Sequence, residues 1–504
     1  MSPEFGVSAH AASQPDKIAL ILRDHTRTFG ELEDRTTRLA HVLRDCHAEG
    51  SVVAAMLPNS FEFIETGVAS GKAGARFLPI NYHLRSEEVR HLLVDSGATV
   101  LVVDSESLVA ARAAMPSEGA PRLIVTGTEY DQLIADSTSE PPLPSGPSWQ
   151  PMFYTSGTTG RPKGVVHAGF GPDRAAFAQQ AQAALWQWQN DDVFLMCGPA
   201  YHASHCGWAM TALFVGATTV LMPTWDGRQW LHLVDEHRAT RSFMVPAHFI
   251  RVLEVPVEER SAFDLTSLRI VVHGGAACPV EVKRRFLSAV PAQVWELYGG
   301  SEGGATRISP EEWLSHPGSV GLPWPGTEIR ILDDNRQGVT NGQTGLVYIR
   351  PPGGMRFAYH GDPSKTRDAW VEDAFTVGDI GHLDHEGYLY LTDRASDLVI
   401  RAGVNIYPRE IEEVLHTHPG VIDCAVFGVP DPRNGEELMA MVEARPGASP
   451  EQLREHLMER IARFKVPRDI CLTDSLPRDP NGKVLKRLLR ESFSPREQPP
   501  SATD

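Results

Sequence analysis

Between Ser51 and Asp104 short apolar runs alternate with helix-patterned stretches, and this rhythm limits the fold more than any other feature. "SVVAAMLP" reads as a strand, "SFEFIETGVASGKAG" as a helix and "ARFLPIN" as a second strand. "EEVRHLLVDSG" and "ATVLVVD" repeat the pair. Strands joined by helix-length crossovers pair in parallel, and strands apolar on both sides need cover on both faces. The expectation is an α/β fold: a large N-terminal domain of parallel, helix-covered sheets. A chain of 504 residues exceeds one hydrophobic core, so a further domain is expected. Its composition, 42% hydrophobic and 22% charged, is that of a folded globular chain and excludes global disorder.

The texture changes near Gly318. "TEIRILDD", "TGLVYIRPP" and "GYLYLTDR" are short β runs between glycine turns, which predicts a small β-barrel or antiparallel sheet appended to the large domain. Past Arg394 a compact α+β segment follows. Its helix "SPEQLREHLMERIARF" starts with Ser449 as N-cap, Pro450 in the first turn and Gln452 three residues after the cap. Leu453, Leu457, Met458 and Ile461 share one face of it. The Pro/Ser-rich stretch Asp136 to Trp149 reads as a surface excursion, because the strand "PMFY" follows at once. The expected division is 1–396, 397–490 and a disordered tail at 491–504.

The net charge of -17, with no basic cluster, argues against nucleic-acid and anionic-membrane partners. Six scattered cysteines without a C-x-x-C pair fit reduced thiols, not a disulfide framework or zinc site. The first residues have neither the basic start nor the apolar core of a signal peptide, and no apolar run is long enough to span a membrane. The expected location is cytoplasmic; a homodimer is left open.

"YTSGTTGRPKGVVH", Tyr154 to His167, is the most chemically loaded stretch. Gly157 and Gly160 allow backbone amides to turn inward as an anion nest. Thr155, Ser156, Thr158 and Thr159 add hydroxyl donors, and Lys163 adds a mobile charge. At a strand end of an α/β sheet this points to a polyphosphate. It is not a Walker loop: only two residues separate Gly157 from Gly160, and Pro162 removes an amide beside Lys163.

The stretch closely resembles the signature of the adenylate-forming superfamily, which includes acyl- and aryl-CoA synthetases, peptide-synthetase adenylation domains and luciferases. The resemblance covers nearly the whole chain, because further motifs follow in the family's order. "HGGAACP" is similar to its adenine loop, which implies that Gly274, Gly275 and Ala276 lie against the base. "YGGSEGG" resembles its Tyr-Gly-x-Thr-Glu element. This implies that Tyr298 stacks on adenine beside Gly299, Ser301 bonds the α-phosphate and Glu302 helps hold Mg²⁺. "TVGDIG" makes Asp379 the ribose acceptor. "DRASDLVIRAGVNIYPREIE" resembles the hinge region, with Arg394 at the ribose and Asp397 as pivot. "LPRDPNGKVLK" puts Lys483 where the family carries its catalytic lysine. Taken singly, each could be an ordinary surface or turn residue; their joint order is the signal.

The resemblance implies ATP, Mg²⁺ and CoA as reactants and cofactors, a small carboxylic acid as substrate, and a mobile C-terminal cap. "GPAYHASHCGWAM" is similar to the acyl-site segment, with His202 near the substrate carboxylate or gating the thiol tunnel. A packed structural histidine is the bland alternative. His205 and Trp208 are expected to line the acyl pocket, and Gly303, Ala402 and Gly403 the acyl or CoA path. Three positions depart from the common pattern: Ser301 stands for threonine, Arg401-Ala402 for Ser-Gly or Gly-Gly, and Cys278 flanks the adenine loop. The implied function is an acyl-CoA synthetase for an apolar acid. The alternatives are a stand-alone enzyme loading a carrier-protein thiol, an enzyme of one half-reaction, and a silent binding module.

Overall fold

The computed structural model describes residues 5–140, 149–155, 162–168, 172–479 and 482–493. Four parallel strands form one sheet in the order Arg76–Pro79, Val52–Met56, Ala98–Val103, Arg122–Val125. A second, larger sheet has a parallel half: Ile18–Leu22, Thr218–Leu221, Val193–Met196, Arg241–Met244, Ile270–His273 and Gln293–Gly300.

Strand alternation explains the layering. In Val52–Met56 every residue is buried. Val53 and Ala55 join the core between the two sheets, while Val52, Ala54 and Met56 join the core on the outer face. In the second sheet Phe194 and Met196 face the central core, and Leu195 and Cys197 face a third. This period-2 split is what a fully covered strand requires. The helices Phe29–Asp45, Phe61–Lys72 and Ala203–Val215 supply the central layer. Thr28 and Glu31 cap the first reciprocally, and Ser60 caps the second by accepting from the Phe63 amide.

The small barrel expected beyond Gly318 does not form. Strand Ser319–Pro323 pairs with Gly303–Ile308 on one edge and with Leu389–Arg394 on the other. The later strands therefore extend the second sheet antiparallel instead of curling on themselves, and the described sheet has 15 strands. Closure would need the edge that Gly303–Ile308 already occupies, and the strand that Glu328–Leu332 pairs with among the described strands is Gly345–Arg350.

After Arg394 the strands belong to a separate five-stranded sheet, starting at Val399–Arg401. Pro408–His416 and Pro450–Met458 cover it. The capping box of Ser449 and Gln452 is present. Leu453 and Leu457 are buried, whereas Met458 is exposed, because the helix ends there and Ile461 follows outside it. The last helix, Lys486–Phe493, continues past residue 491, where the sequence reading starts a disordered tail: Phe493 stays in the fold by packing on Phe427. Residues 494–504 lie outside the described residues.

Ala402 and Gly403 form the two-residue turn between Val399–Arg401 and Val404–Ile406, and both have positive φ, 50° and 79°. A left-handed alanine costs about 1 kcal/mol, which glycine at that place avoids. Ala402→Gly is expected to stabilise the C-terminal unit by up to about 0.5 kcal/mol, the rest of the gain being lost to unfolded-state entropy. Denaturant titration of the full chain checks this; an unchanged or lower midpoint refutes it.

Candidate active site

The threonine- and glycine-rich segment is framed by two strands, not by a helix. Phe153–Thr155 pairs antiparallel with Lys163–Ala168, with Thr155 opposite Lys163. Ser156, Gly157, Thr158, Thr159, Gly160 and Arg161 lie outside the described residues. The frame is anchored twice. The Tyr154 hydroxyl donates to Asp95 at 2.7 Å, and the strand Arg356–Tyr359 pairs along the outer side of Lys163–Ala168. Lys163 Nζ stands 3.7 Å from Asp362. His167 meets the Ser301 carbonyl oxygen at 3.1 Å, which joins this hairpin to the Tyr298 element. Burial lowers the pKa of His167, so it makes that contact as a neutral imidazole donating from Nε2.

The glycine loop Gly274 to Cys278 leaves the carboxyl end of strand Ile270–His273, next to the end of Gln293–Gly300. Ligands of open parallel sheets bind at such carboxyl ends. Gly274 is required by close approach: a Cβ there would lie 2.5 Å from the Leu297 carbonyl oxygen. Gly275 and Ala276 are exposed at the loop tip, while Cys278 is buried behind it as an apolar filler. Gly299 and Gly300 oppose Gly304 and Gly303 across the hairpin that carries Ser301 and Glu302 at its tip.

A polar chain, buried at Tyr298 and Asp379, runs from this hairpin to the next motif. The Tyr298 hydroxyl donates to Asp379 Oδ2 at 2.8 Å, and Arg394 Nε reaches Asp379 Oδ1 at 3.2 Å. Burial, then the Asp379 charge, holds the Tyr298 phenol well above its ordinary range, so it remains a donor. Glu302 Oε1 accepts from the Tyr359 hydroxyl at 3.0 Å. Its Oε2 has no hydrogen bond or ion pair among the described residues. Asp397 accepts from Arg490 Nη2 at 2.9 Å.

Lys483 belongs to the C-terminal unit, on a turn built by its own neighbours. Its amide donates to Asp479 Oδ1 at 2.9 Å, and the Asp479 amide donates to its carbonyl at 2.8 Å. Arg478 pairs with Asp423 and donates to the Gly482 carbonyl at 2.5 Å. Pro480 and Asn481 lie outside the described residues. Gly482, with φ 81°, seats the turn on the large unit: a Cβ there would lie 2.9 Å from that of Ala247. The Lys483 ammonium is mostly buried. Burial lowers its pKa, Arg394 lowers it further, and Asp397, Asp479 and Asp379 pull the other way. The lysine thus stands in the field of the residues carried by the Asp379 and hinge motifs.

His202 ends a loop and starts the helix Ala203–Val215. Burial alone lowers its pKa to about 4, and its Nε2 has no hydrogen-bond partner among the described residues. It is therefore neutral at pH 7. His205, held to about 3 by burial and then by His202, packs on Phe243. Trp208 packs among Trp186, Trp188 and Phe243 with centroids 5.3–5.6 Å away. Both are buried in the central core and neither reaches an open surface. Gly303 lies at the Glu302 tip, while Ala402 and Gly403 sit on an exposed turn of the C-terminal sheet.

Tyr359, Asp362, Arg478 and Asp479 are site neighbours that the sequence reading does not single out. Arg478 and Asp479 stand inside the quoted "LPRDPNGK" and could have been found by asking what holds the turn. Tyr359 carries no local signal, since it reaches Glu302 across 57 residues.

Residues 7–359 match the family model described as AMP-binding enzyme, and 410–483 match that of the AMP-binding enzyme C-terminal domain. A fatty acid–[acyl-carrier-protein] ligase of Streptomyces coeruleorubidus is 33% identical over 96% of this chain and 95% of its own. A feruloyl-CoA synthase of Amycolatopsis is 35% identical over 92% and 94%. The ATP-bound structure of MatB from Rhodopseudomonas palustris superposes with a TM-score of 0.85 at 27% identity, covering 97% of this chain and 99% of that one.

Proposed function

The chain belongs to the AMP-binding enzyme family, and on that premise we propose the two-step reaction of an acyl-CoA synthetase. In the first step a substrate carboxylate oxygen attacks the α-phosphorus of ATP. The bond to the β-phosphate oxygen breaks, and pyrophosphate leaves. In the second step the CoA sulfur attacks the acyl carbon, its proton passes to solvent, and AMP leaves with the bonding pair. The observation that carries this reading is the position of Lys483, a C-terminal ammonium lying in the field of Asp379, Arg394 and Asp397.

The roles follow from charge. Two anions 4 Å apart repel by about 4 kcal/mol at an effective dielectric near 20, and Lys483 offsets that at the reacting oxygens. Thr155 to Gly160 and Lys163 hold the β- and γ-phosphates, Ser301 the α-phosphate, and Asp379 with Arg394 the ribose. Gly274, Gly275, Ala276 and Tyr298 receive adenine. No general base is needed, because the acid arrives ionised. His202, being neutral, serves the carboxylate as a hydrogen-bonding group and not as a counter-charge. Glu302, with one carboxylate oxygen occupied by Tyr359 and the other without a partner among the described residues, would suit a hard divalent cation whose other ligands are phosphate and water. When bound, magnesium supplies positive charge at the phosphates. Division of labour between a body, 1–396, and a cap pivoting at Asp397, 397–490, allows the lysine to withdraw before the thiol enters.

The substrate is an apolar acid, a reading supported by the tryptophan-rich core beneath His202 and by relatives named for fatty and feruloyl substrates. One observation favours a second reading of the acceptor: the Streptomyces relative is named for an acyl carrier protein. Pyrophosphate release across fatty, aryl and hydroxycinnamic acids, with CoA, carrier protein or neither, decides both points. An apolar acid that releases pyrophosphate and yields thioester only with CoA is the expected result. Release without any acid, or none with every acid, refutes the reading.

A further inference from the structure

The two units meet through charges arranged crosswise. Arg251 donates to both oxygens of Glu443, at 2.6 and 2.9 Å, and Arg445 donates to both oxygens of Glu254, at 2.7 and 2.6 Å. Arg251 and Glu254 are three residues apart at the end of the helix Pro246–Leu253, so they share a face. Glu443 and Arg445 are two apart at the end of the strand Gly435–Ala444, so they also share a face. Body and cap thus present one cation and one anion each, in opposite order. Glu413 adds a third link by accepting from the Val280 amide at 2.9 Å, at the start of the helix Val280–Ala289.

The same body helix touches the cap at its other end. Ala247 and the preceding Val245 are where the Gly482 turn sits, next to Lys483. Ala247 and Glu254 stand about 10 Å apart along the axis at 1.5 Å per residue. One contact would leave the cap free to pivot about it; two contacts that far apart set its orientation. The far contact is polar, and Arg251 and Arg445 are each more than a third exposed. Glu443 is 5% exposed while the pair is closed, but parting of the two units returns all four charges to water, whereas an apolar seam of that size would hold the cap shut.

We propose that Arg251–Glu443 and Glu254–Arg445 form a releasable latch that positions the cap so that Lys483 reaches the reacting phosphate, and that opening of the latch admits the thiol. These four are positioning residues, since none touches the reacting groups. The proposal rests on the two-step reading above, and its test separates the two.

The test follows the half-reactions and the cap together in the full chain. Adenylate formation is read as pyrophosphate release without thiol; the second step is read from supplied acyl-adenylate and CoA. Cap position is read by energy transfer between dyes at the exposed residues Val109 and Met458. Arg251→Glu is expected to lower adenylate formation about tenfold, to leave the second step unchanged or faster, and to shift the transfer signal. Arg251→Glu with Glu443→Arg restores opposite charges and should recover adenylate formation to within about threefold, together with the signal. Equal slowing of both half-reactions, or no recovery in the double variant, overturns the latch. If the native chain forms no adenylate while the signal still shifts and recovers, the latch stands and the reaction is misread.

Discussion

Lys483→Ala is expected to lower adenylate formation by about 10²–10³-fold, the usual cost of removing one preorganised charge from a transition state. The same variant should convert supplied acyl-adenylate and CoA to product within a few-fold of the native rate. The asymmetry is the point. In the first step as proposed, the lysine faces an approaching carboxylate and a leaving polyphosphate, whereas in the proposed second step the polyphosphate has gone and the cap has turned. The substitution leaves the turn standing, because the Arg478 and Asp479 bonds that build it use the backbone of Gly482 and Lys483. The pH dependence carries a sign as well. Burial and Arg394 lower the lysine's pKa, so its charge disappears at lower pH than that of a free lysine. Adenylate formation should therefore decline on the alkaline side earlier than a solvent-exposed lysine would allow, and the Ala variant should lack that limb. Equal loss in both half-reactions would place Lys483 in general folding instead of the first step.

Asp379→Ala is the second large effect. Asp379 is buried and receives the Tyr298 hydroxyl and Arg394. Removing it strands a buried phenol without an acceptor, a cost of about 1–3 kcal/mol to the fold. It also removes the proposed partner of both ribose hydroxyls, which at about 1.5 kcal/mol each raises the ATP KM about 10²-fold. Tyr298→Phe separates the two contributions. It deletes the donor, leaves Asp379 with Arg394, and should cost less than about tenfold in KM. The measurements are the ATP KM of each variant and its denaturation midpoint. An unchanged ATP KM in Asp379→Ala would remove the aspartate from nucleotide binding.

Much of the fold was legible because its strands and helices announce themselves locally. The all-buried Val52–Met56 strand and the Ser449–Gln452 capping box are consequences of a few adjacent residues. The barrel was misread for a converse reason. Short β runs say that strands exist but not which edge each takes, and the partner of Ser319–Pro323 is set by Gly303–Ile308 and Leu389–Arg394. His205 and Trp208 show a similar limit at the site. Their place after His202 puts them in the acyl-site segment, but that both are buried in the central core is decided by how the helix Ala203–Val215 packs.

The order of the motifs, through their resemblance to the adenylate-forming family, was enough to reach the family and its ligase chemistry, since each motif is a short pattern whose sequence of occurrence is itself information. It could not say what stands across from them. Tyr359 under Glu302, Tyr298 on Asp379 and the crossed Arg–Glu pairs that seat the cap join segments between 57 and 192 residues apart. Such contacts depend on how sheets and helices stack, and a hydrogen bond or ion pair leaves no trace in the residues beside either partner.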